Sequence, residues 1–291
     1  MFNDLLLHEA TRQQLDGFMK RPSHALLLSG LPGSGKLTVA RALAAQLLSL
    51  EPEVLENYPH FLIISRSGGK QDISIDSIRQ IPRALYLQIP GNAAVKRVIL
   101  IEDAQLMNPE AQNALLKSLE EPGGGTIFIL TATDKAELLP TVASRATSIS
   151  INPVGQELAV KFFNQFPQNK VLSAWALSQG APGLLATLLG EEDSELRSAV
   201  DQAKTFLTMD RYERLVELDR LSKNKADLSN LLEGLKRVLN ALYRNAAKTN
   251  NKDRLKRFLE ATKLVSQSQQ DLNNSVMPRL IILKLALSLP V

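Results

Sequence analysis

Five short apolar runs mark the first half of the chain, at residues 25–29, 61–65, 97–101, 126–131 and 148–151. Each is read as an apolar run of strand length, the pattern of strands covered on both faces. Five buried strands are expected. Between them the apolar period lengthens to that of helices. Val39, Ala40, Leu43, Ala44, Leu47 and Leu48 share one stripe of a helix that follows Lys36. A second helix is expected from about Ile75 to Tyr86, interrupted at Pro82. A third opens with Asn108 as N-cap and Pro109 at its first position. It carries Ala111, Ala114, Leu115 and Leu119 on one face, and stops before Pro122 and Gly123-Gly124-Gly125. Strands alternating with helices predict an α/β domain with a parallel sheet.

After Asn152-Pro153 the strand pattern ends, and Pro167, Gly180, Pro182 and Gly183 punctuate three short helical segments up to about Leu189. Glu191-Glu192-Asp193 reads as a linker or a helix start, and everything beyond is helical. Leu228, Leu231, Leu232, Leu235, Leu239 and Leu242 recur at i, i+3, i+4, i+7 spacing. Residues 272–289 are apolar on more than one side, so that segment is either enclosed by neighbouring helices or presented to another subunit. The expected division is an α/β domain over 1–152, a three-helix domain over 153–190 and an all-α domain over 191–291.

Composition narrows the function classes. A chain of 291 residues, 44% hydrophobic and 22% charged, can bury real cores and is neither disordered nor collagenous. No apolar run approaches the ~18 residues of a membrane span. No basic stretch precedes Leu5-Leu6-Leu7, so a cytoplasmic protein with no membrane contact is expected. Zero Cys excludes disulfides, thiol nucleophiles and thiolate zinc sites, and His8, His24 and His60 lack ligand spacing, so no zinc is expected. The net charge of +4 is unevenly spread: residues 234–263 hold nine Lys or Arg against Asp253 and Glu260, +7, leaving −3 for the rest. That stretch is either a solvated helix face or a contact for nucleic-acid phosphates.

The sharpest local signal is Gly30-Leu31-Pro32-Gly33-Ser34-Gly35-Lys36, between a strand and a helix. Glycines there let successive backbone N–H groups face one anion, the helix N-terminus adds positive potential, and the lysine reaches outer phosphate oxygens. ATP or ADP is the nucleotide expected there, if one binds. A hydroxyl is needed directly after the lysine to hold Mg²⁺, yet Leu37 stands there and Thr38 follows one residue late, about 100° around the helix. Mg²⁺ is therefore expected only if a nucleotide binds. A second signal is the buried strand that ends in Glu102-Asp103. In P-loop ATPases an Asp at that strand end orders Mg²⁺ and a following Glu polarises water. Here the order is inverted, and the pair is either a working site or a remnant that hydrogen-bonds the loop.

These features, with Asn113-Ala114-Leu115-Leu116-Lys117-Ser118-Leu119-Glu120-Glu121-Pro122 and Ser144-Arg145, resemble the clamp-loader branch of AAA+ proteins from about His24 to Ile151, and more loosely to Gly190. The resemblance implies a P-loop AAA+ α/β fold: a parallel five-stranded sheet, a three-helix lid and an all-α C-terminal collar. The partners it implies are gamma/tau-type ATPase subunits and a delta subunit in a hetero-pentamer. Sliding clamp and primed DNA would be met through the complex. Thr133 matches the sensor of a γ-phosphate, or is a strand-end cap for the next turn. Arg145 matches an arginine finger acting in trans on a neighbour's ATP, or is a solvated strand-edge residue.

Three departures matter. The zinc module of the family is missing between Leu47 and His60, Ala146 replaces the Cys after the finger, and Gly180-Ala181-Pro182-Gly183 lacks the lid Arg of motor subunits. With the metal hydroxyl, the acid order and the lid Arg all altered, turnover is expected to be weak or absent. The resemblance thus implies a stator in the loading of the DNA polymerase III sliding clamp. An active motor-type subunit or a helicase loader is the alternative, and a P-loop small-molecule kinase a third.

Overall fold

The structure, a computed structural model, describes all residues except 1, 3, 67–71, 191–194, 222, 275 and 290–291, and the backbone but not the side chain of 273. The stretch Glu191-Glu192-Asp193 lies outside the described residues. The chain divides into two compact units, one of residues 1–158 with 181–183, the other of 159–180 with 184–291.

The first unit begins with α1 (Glu9–Lys20), β1 (Ala25–Ser29), α2 (Lys36–Leu48), α3 (Pro52–Leu55), β2 (Phe61–Ile64), α4 (Ile75–Ile78) and α5 (Gln80–Tyr86). It continues with β3 (Arg97–Ile101), α6 (Pro109–Glu120), β4 (Thr126–Ala132), α7 (Pro140–Ala143) and β5 (Thr147–Ser150). The strands form one five-stranded parallel sheet in the order β2-β3-β4-β1-β5. Register places Leu26 beside Ile129, and Val98 beside both Phe61 and Ile127. Because side chains alternate across a sheet, each strand feeds two cores. Leu26, Leu28, Val98, Leu100, Ile127 and Ile129 pack with Leu15, Phe18, Val39 and Leu43 of α1 and α2. Leu27, Ile99, Ile101, Phe128 and Leu130 pack on the other face with Ile78, Ile81, Leu115 and Leu119 of α4, α5 and α6. This double cover is why the central strands read as unbroken apolar runs.

Two expectations need correction, and one helix was not anticipated. β5 is not buried: only Ile149 is, while Thr147, Ser148 and Ser150 are exposed, because an edge strand paired with β1 alone needs only one anchored side chain. The break between α4 and α5 falls at Arg79, not Pro82. Pro82 sits in the first turn of α5, where its missing N–H has no intrahelical partner to lose. α1 carries no apolar run long enough to stand out, and its fully buried Thr11 is polar. The Thr11 hydroxyl donates to the Ser150 carbonyl (2.8 Å) and accepts from the Asn152 N–H (3.2 Å), tying α1 to the end of β5.

α8 (Gln156–Phe162) and α10 (Pro182–Leu189) each have residues in both units, and α9 (Gln168–Ser178) lies in the second. The rest of that unit is α11 (Glu195–Thr208), α12 (Arg211–Leu221), α13 (Lys225–Lys248), α14 (Lys252–Asn273) and α15 (Pro278–Ser288). The leucine stripe of α13 is buried at Leu228, Leu231, Leu232, Leu235 and Leu239. Gly234 lets α13 meet α11 backbone to backbone: a Cβ there would lie 2.1 Å from the Ala199 carbonyl oxygen. Arg214 is fully buried and donates to the Phe206, Leu207 and Leu289 carbonyls, fastening the end of α15 to α11 and α12. The apolar segment 272–289 is not continuous, since α14 ends at Asn273 before Pro278 opens α15. One face of α15 is enclosed (Ile281, Ile282, Leu285, Ala286); Leu280, Leu283 and Leu287 on another are exposed.

Candidate functional site

The phosphate loop forms where β1 turns into α2. Gly33 and Gly35 take φ of 76° and 85°, a region that side chains disfavour, so glycine is required at both positions. Gly30 donates to the Ala132 and Thr133 carbonyls at 3.2 Å, anchoring the loop to β4. A Cβ on Gly30 would sit 2.9 Å from Ser34 Oγ. The Ser34 hydroxyl is buried with no hydrogen-bond partner among the described residues. Pro32 and the exposed Leu31 shape the outer edge of the loop.

Lys36 does not extend from this cradle. Its Nζ donates to the Gly30 carbonyl at 2.6 Å and the Leu31 carbonyl at 3.2 Å, so the ammonium is satisfied by the loop itself. Burial pushes its pKa down, opposed by the negative charges of Asp103 and Glu137. Leu37 packs against the core between the sheet and α1–α2. Thr38 lines a separate cavity of about 640 Å³ with Phe2, Leu5, Arg41, Ala45 and Leu55. Neither therefore offers a hydroxyl at the position after the lysine. Close to the loop lies Gly183, where a Cβ would meet the Gly33 carbonyl oxygen at 2.8 Å and the Gly35 nitrogen at 3.0 Å. Two glycines thus permit the start of α10 to lie directly against the phosphate loop.

Glu102 and Asp103 follow β3, as the strand pattern predicts, but they face different partners. The Glu102 N–H donates to the Ile64 carbonyl at 2.9 Å. Its carboxylate pairs with Arg41 of α2 at 3.5 Å, and Arg41 also pairs with Glu56 at 3.0 Å. Desolvation raises the Glu102 pKa, as do Asp103 and Glu56, against the lowering by Arg41. Asp103 adopts φ of +48°, a left-handed conformation that its short polar side chain tolerates. Its N–H donates to Thr131 Oγ at 2.9 Å. Gln105 Nε2 donates to Asp103 Oδ1 (3.4 Å) and Thr133 Oγ1 (3.3 Å), bridging the acidic strand end and the sensor-like threonine. The next turn is capped by Asp134, which accepts from the Ala136 N–H at 2.9 Å, so Thr133 is not its cap.

Arg145 makes its contacts away from the loop. One guanidinium nitrogen donates to the Thr141 carbonyl at 2.8 Å and another to Glu120 at 2.5 Å, at the end of α6. The structure thus brings together residues 30–36, Asp103 and Thr133, and sets Glu102 with Arg41 and Arg145 with Glu120. Arg41 and Gln105 were not singled out from the sequence, and Glu120 stood there only as part of the 113–122 run. Arg41 had one visible signal, a charge between the apolar positions of α2.

Backbone geometry and the orphaned Ser34 hydroxyl fit a bound phosphate. At the position after the lysine Leu37 supplies no metal ligand, and Thr38 lines another cavity, so no hydroxyl stands where a nucleotide-bound metal ion would take one. No helix among the described residues is long and apolar enough to cross a membrane.

A family model described as "DNA polymerase III, delta subunit" matches residues 9–155. The chain is 29% identical over 203 residues to DNA polymerase III subunit delta' of Escherichia coli, covering 64% of this chain and 60% of that protein. It is 29% identical over 210 residues to the same-named protein of Pseudomonas aeruginosa, covering 66% of this chain and 63% of that one. A replication factor C small subunit of Aeropyrum pernix is 23% identical over 240 residues, 80% of this chain and 69% of that protein. The chain spans 60% and 63% of the length of the two curated delta' relatives.

Proposed function

This chain belongs to the family described as the DNA polymerase III delta subunit, and from that premise we propose that it is a delta'-like stator of a clamp loader. In this reading residues 153–190 act as a lid and 191–291 as a collar, beside gamma/tau-type ATPases and a delta subunit. Arg145 is offered in trans to the ATP of a neighbouring subunit. The chain's own phosphate loop holds a nucleotide weakly or not at all.

The observation that carries the reading is the state of the loop's chemistry. Lys36 is spent on the carbonyls of Gly30 and Leu31, Leu37 replaces the metal hydroxyl, and Glu102 is paired with Arg41. Turnover needs a lysine on the phosphates, a metal and a placed carboxylate acting together, and loss of several such elements removes most of the rate. What the nucleotide itself would contribute is phosphate charge. The residues that would hold it are the backbone amides of 33–36 and Ser34.

Arg145 suits action on a neighbour. Its side chain is 35% exposed and that of Glu120 51%, so the pair is solvated and is worth under about 1 kcal/mol. Releasing Glu120 therefore costs little against the gain of meeting phosphate oxygens in a water-poor interface.

The test is reconstitution with gamma-type and delta-type partners. Arg145→Ala should assemble normally and lower clamp- and DNA-stimulated ATP hydrolysis by at least ~10-fold. An assembly that forms and hydrolyses at the wild-type rate removes the finger role.

A further inference from the structure

The second unit carries a cationic tip that the proposed function does not use. α13 ends at Lys248 and α14 begins at Lys252, joined by Thr249-Asn250-Asn251. Every residue from 247 to 254 is exposed, as are Lys256 and Arg257. Between 248 and 257 five cations face one acid, Asp253. The side chains of Lys252, Arg254 and Lys256 have no ion-pair partner among the described residues.

Like charges at this density repel and cost stability, and the chain could neutralise them as it does elsewhere, where Arg237 pairs with Glu233 one turn away. The three free cations also do not line a single stripe. At about 100° per residue, Lys252 and Lys256 lie about 40° apart and Arg254 about 200° from Lys252, so the first turn of α14 is positive on two nearly opposite sides, with Asp253 between them on one flank and Leu255 on the other.

We propose that this hairpin tip, with Lys252, Arg254 and Lys256 at its centre, is a docking surface for the phosphate backbone of nucleic acid. A repeating polyanion matches positive charge carried on two sides of an exposed helix end, and counterion release supplies the driving force. An anionic membrane is the poorer match. Helices that lie on lipid oppose their cations with an apolar face, and between 248 and 257 the single apolar side chain, Leu255, is half-buried. Contacts to phosphate alone make the binding indifferent to base sequence. The inference rests on charge and exposure in the second unit and is independent of the stator reading.

Fluorescence anisotropy of the full chain with a labelled random-sequence duplex, across a salt series, tests it. The wild-type chain should bind with an affinity that falls steeply with salt, and K252E/R254E/K256E should lose at least ~10-fold in affinity at low salt and flatten the slope by about two to three. Charge reversal at Lys20 and Arg21, exposed cations of the first unit, should leave both unchanged. If circular dichroism shows the triple Glu variant misfolded, K252Q/R254Q/K256Q replaces it, with a smaller loss expected. Wild-type affinity and slope in a folded triple variant would overturn the proposal. So would an equal loss from the Lys20 and Arg21 variant, or tighter binding to phosphatidylserine vesicles than to the duplex, abolished by the triple variant.

Discussion

Glu102 is subject to opposing influences, and burial outweighs the nearby Arg41 guanidinium, so its pKa lies above the ordinary carboxylate value. A carboxyl group whose folded-state pKa is raised stabilises the fold fully below its unfolded pKa, and that contribution is lost as pH rises through the folded pKa. Glu102→Gln should therefore gain stability relative to wild type between about pH 4 and pH 7, with the difference shrinking at the acid end. Urea melts at a series of pH values measure this; a variant that instead loses stability relative to wild type as pH rises through the carboxylate range would show that the ion pair with Arg41, not desolvation, dominates. The residue scale is also where the sequence was least legible. Leu37, Thr38 and the inverted acid pair could be read as departures directly. That Lys36 turns onto its own loop could not, because two short hydrogen bonds to carbonyls leave no trace in residue type. Nor could the partnership of Arg145 with Glu120, 25 residues apart in the chain.

Elements whose reasons are local were legible. Asn108 caps α6 by accepting from the Ala111 N–H at 2.8 Å, with Pro109 next, as the residue types demand. The four inner or covered strands announced themselves because helices on both faces remove any need for polar alternation. What failed were elements fixed from outside. β5 is short and polar because one buried Ile149 and pairing with β1 suffice. α1 is held by Thr11 reaching the end of β5, a contact that no hydropathy pattern carries. Gly234, inside the leucine-rich α13, is the residue-type sign of a close helix crossing. With the Ala199 carbonyl 2.1 Å from a would-be Cβ, Gly234→Ala forces α11 and α13 apart. Overpacking of that kind costs about 1–3 kcal/mol. A thermal melt should show it as a lower midpoint with secondary structure retained below the transition; an unchanged midpoint would mean that the two helices separate freely.

At the scale of the molecule, two units with separate cores divide the labour. One keeps the sheet and phosphate loop of a nucleotide switch, with Gly183 lying against that loop. The other is helical among its described residues, exposes Leu280, Leu283 and Leu287 on α15, and carries a net charge of +7 at 234–263. The loop keeps its glycines at 30, 33 and 35 while Leu37 stands where a metal-binding hydroxyl is needed, the combination on which the proposed stator reading rests. The direct test is steady-state ATP hydrolysis by the purified chain with Mg²⁺, beside Lys36→Ala. A disabled site predicts no turnover above background in either protein. Steady Mg²⁺-dependent hydrolysis by the wild-type chain, abolished by Lys36→Ala, would contradict it and identify an active motor.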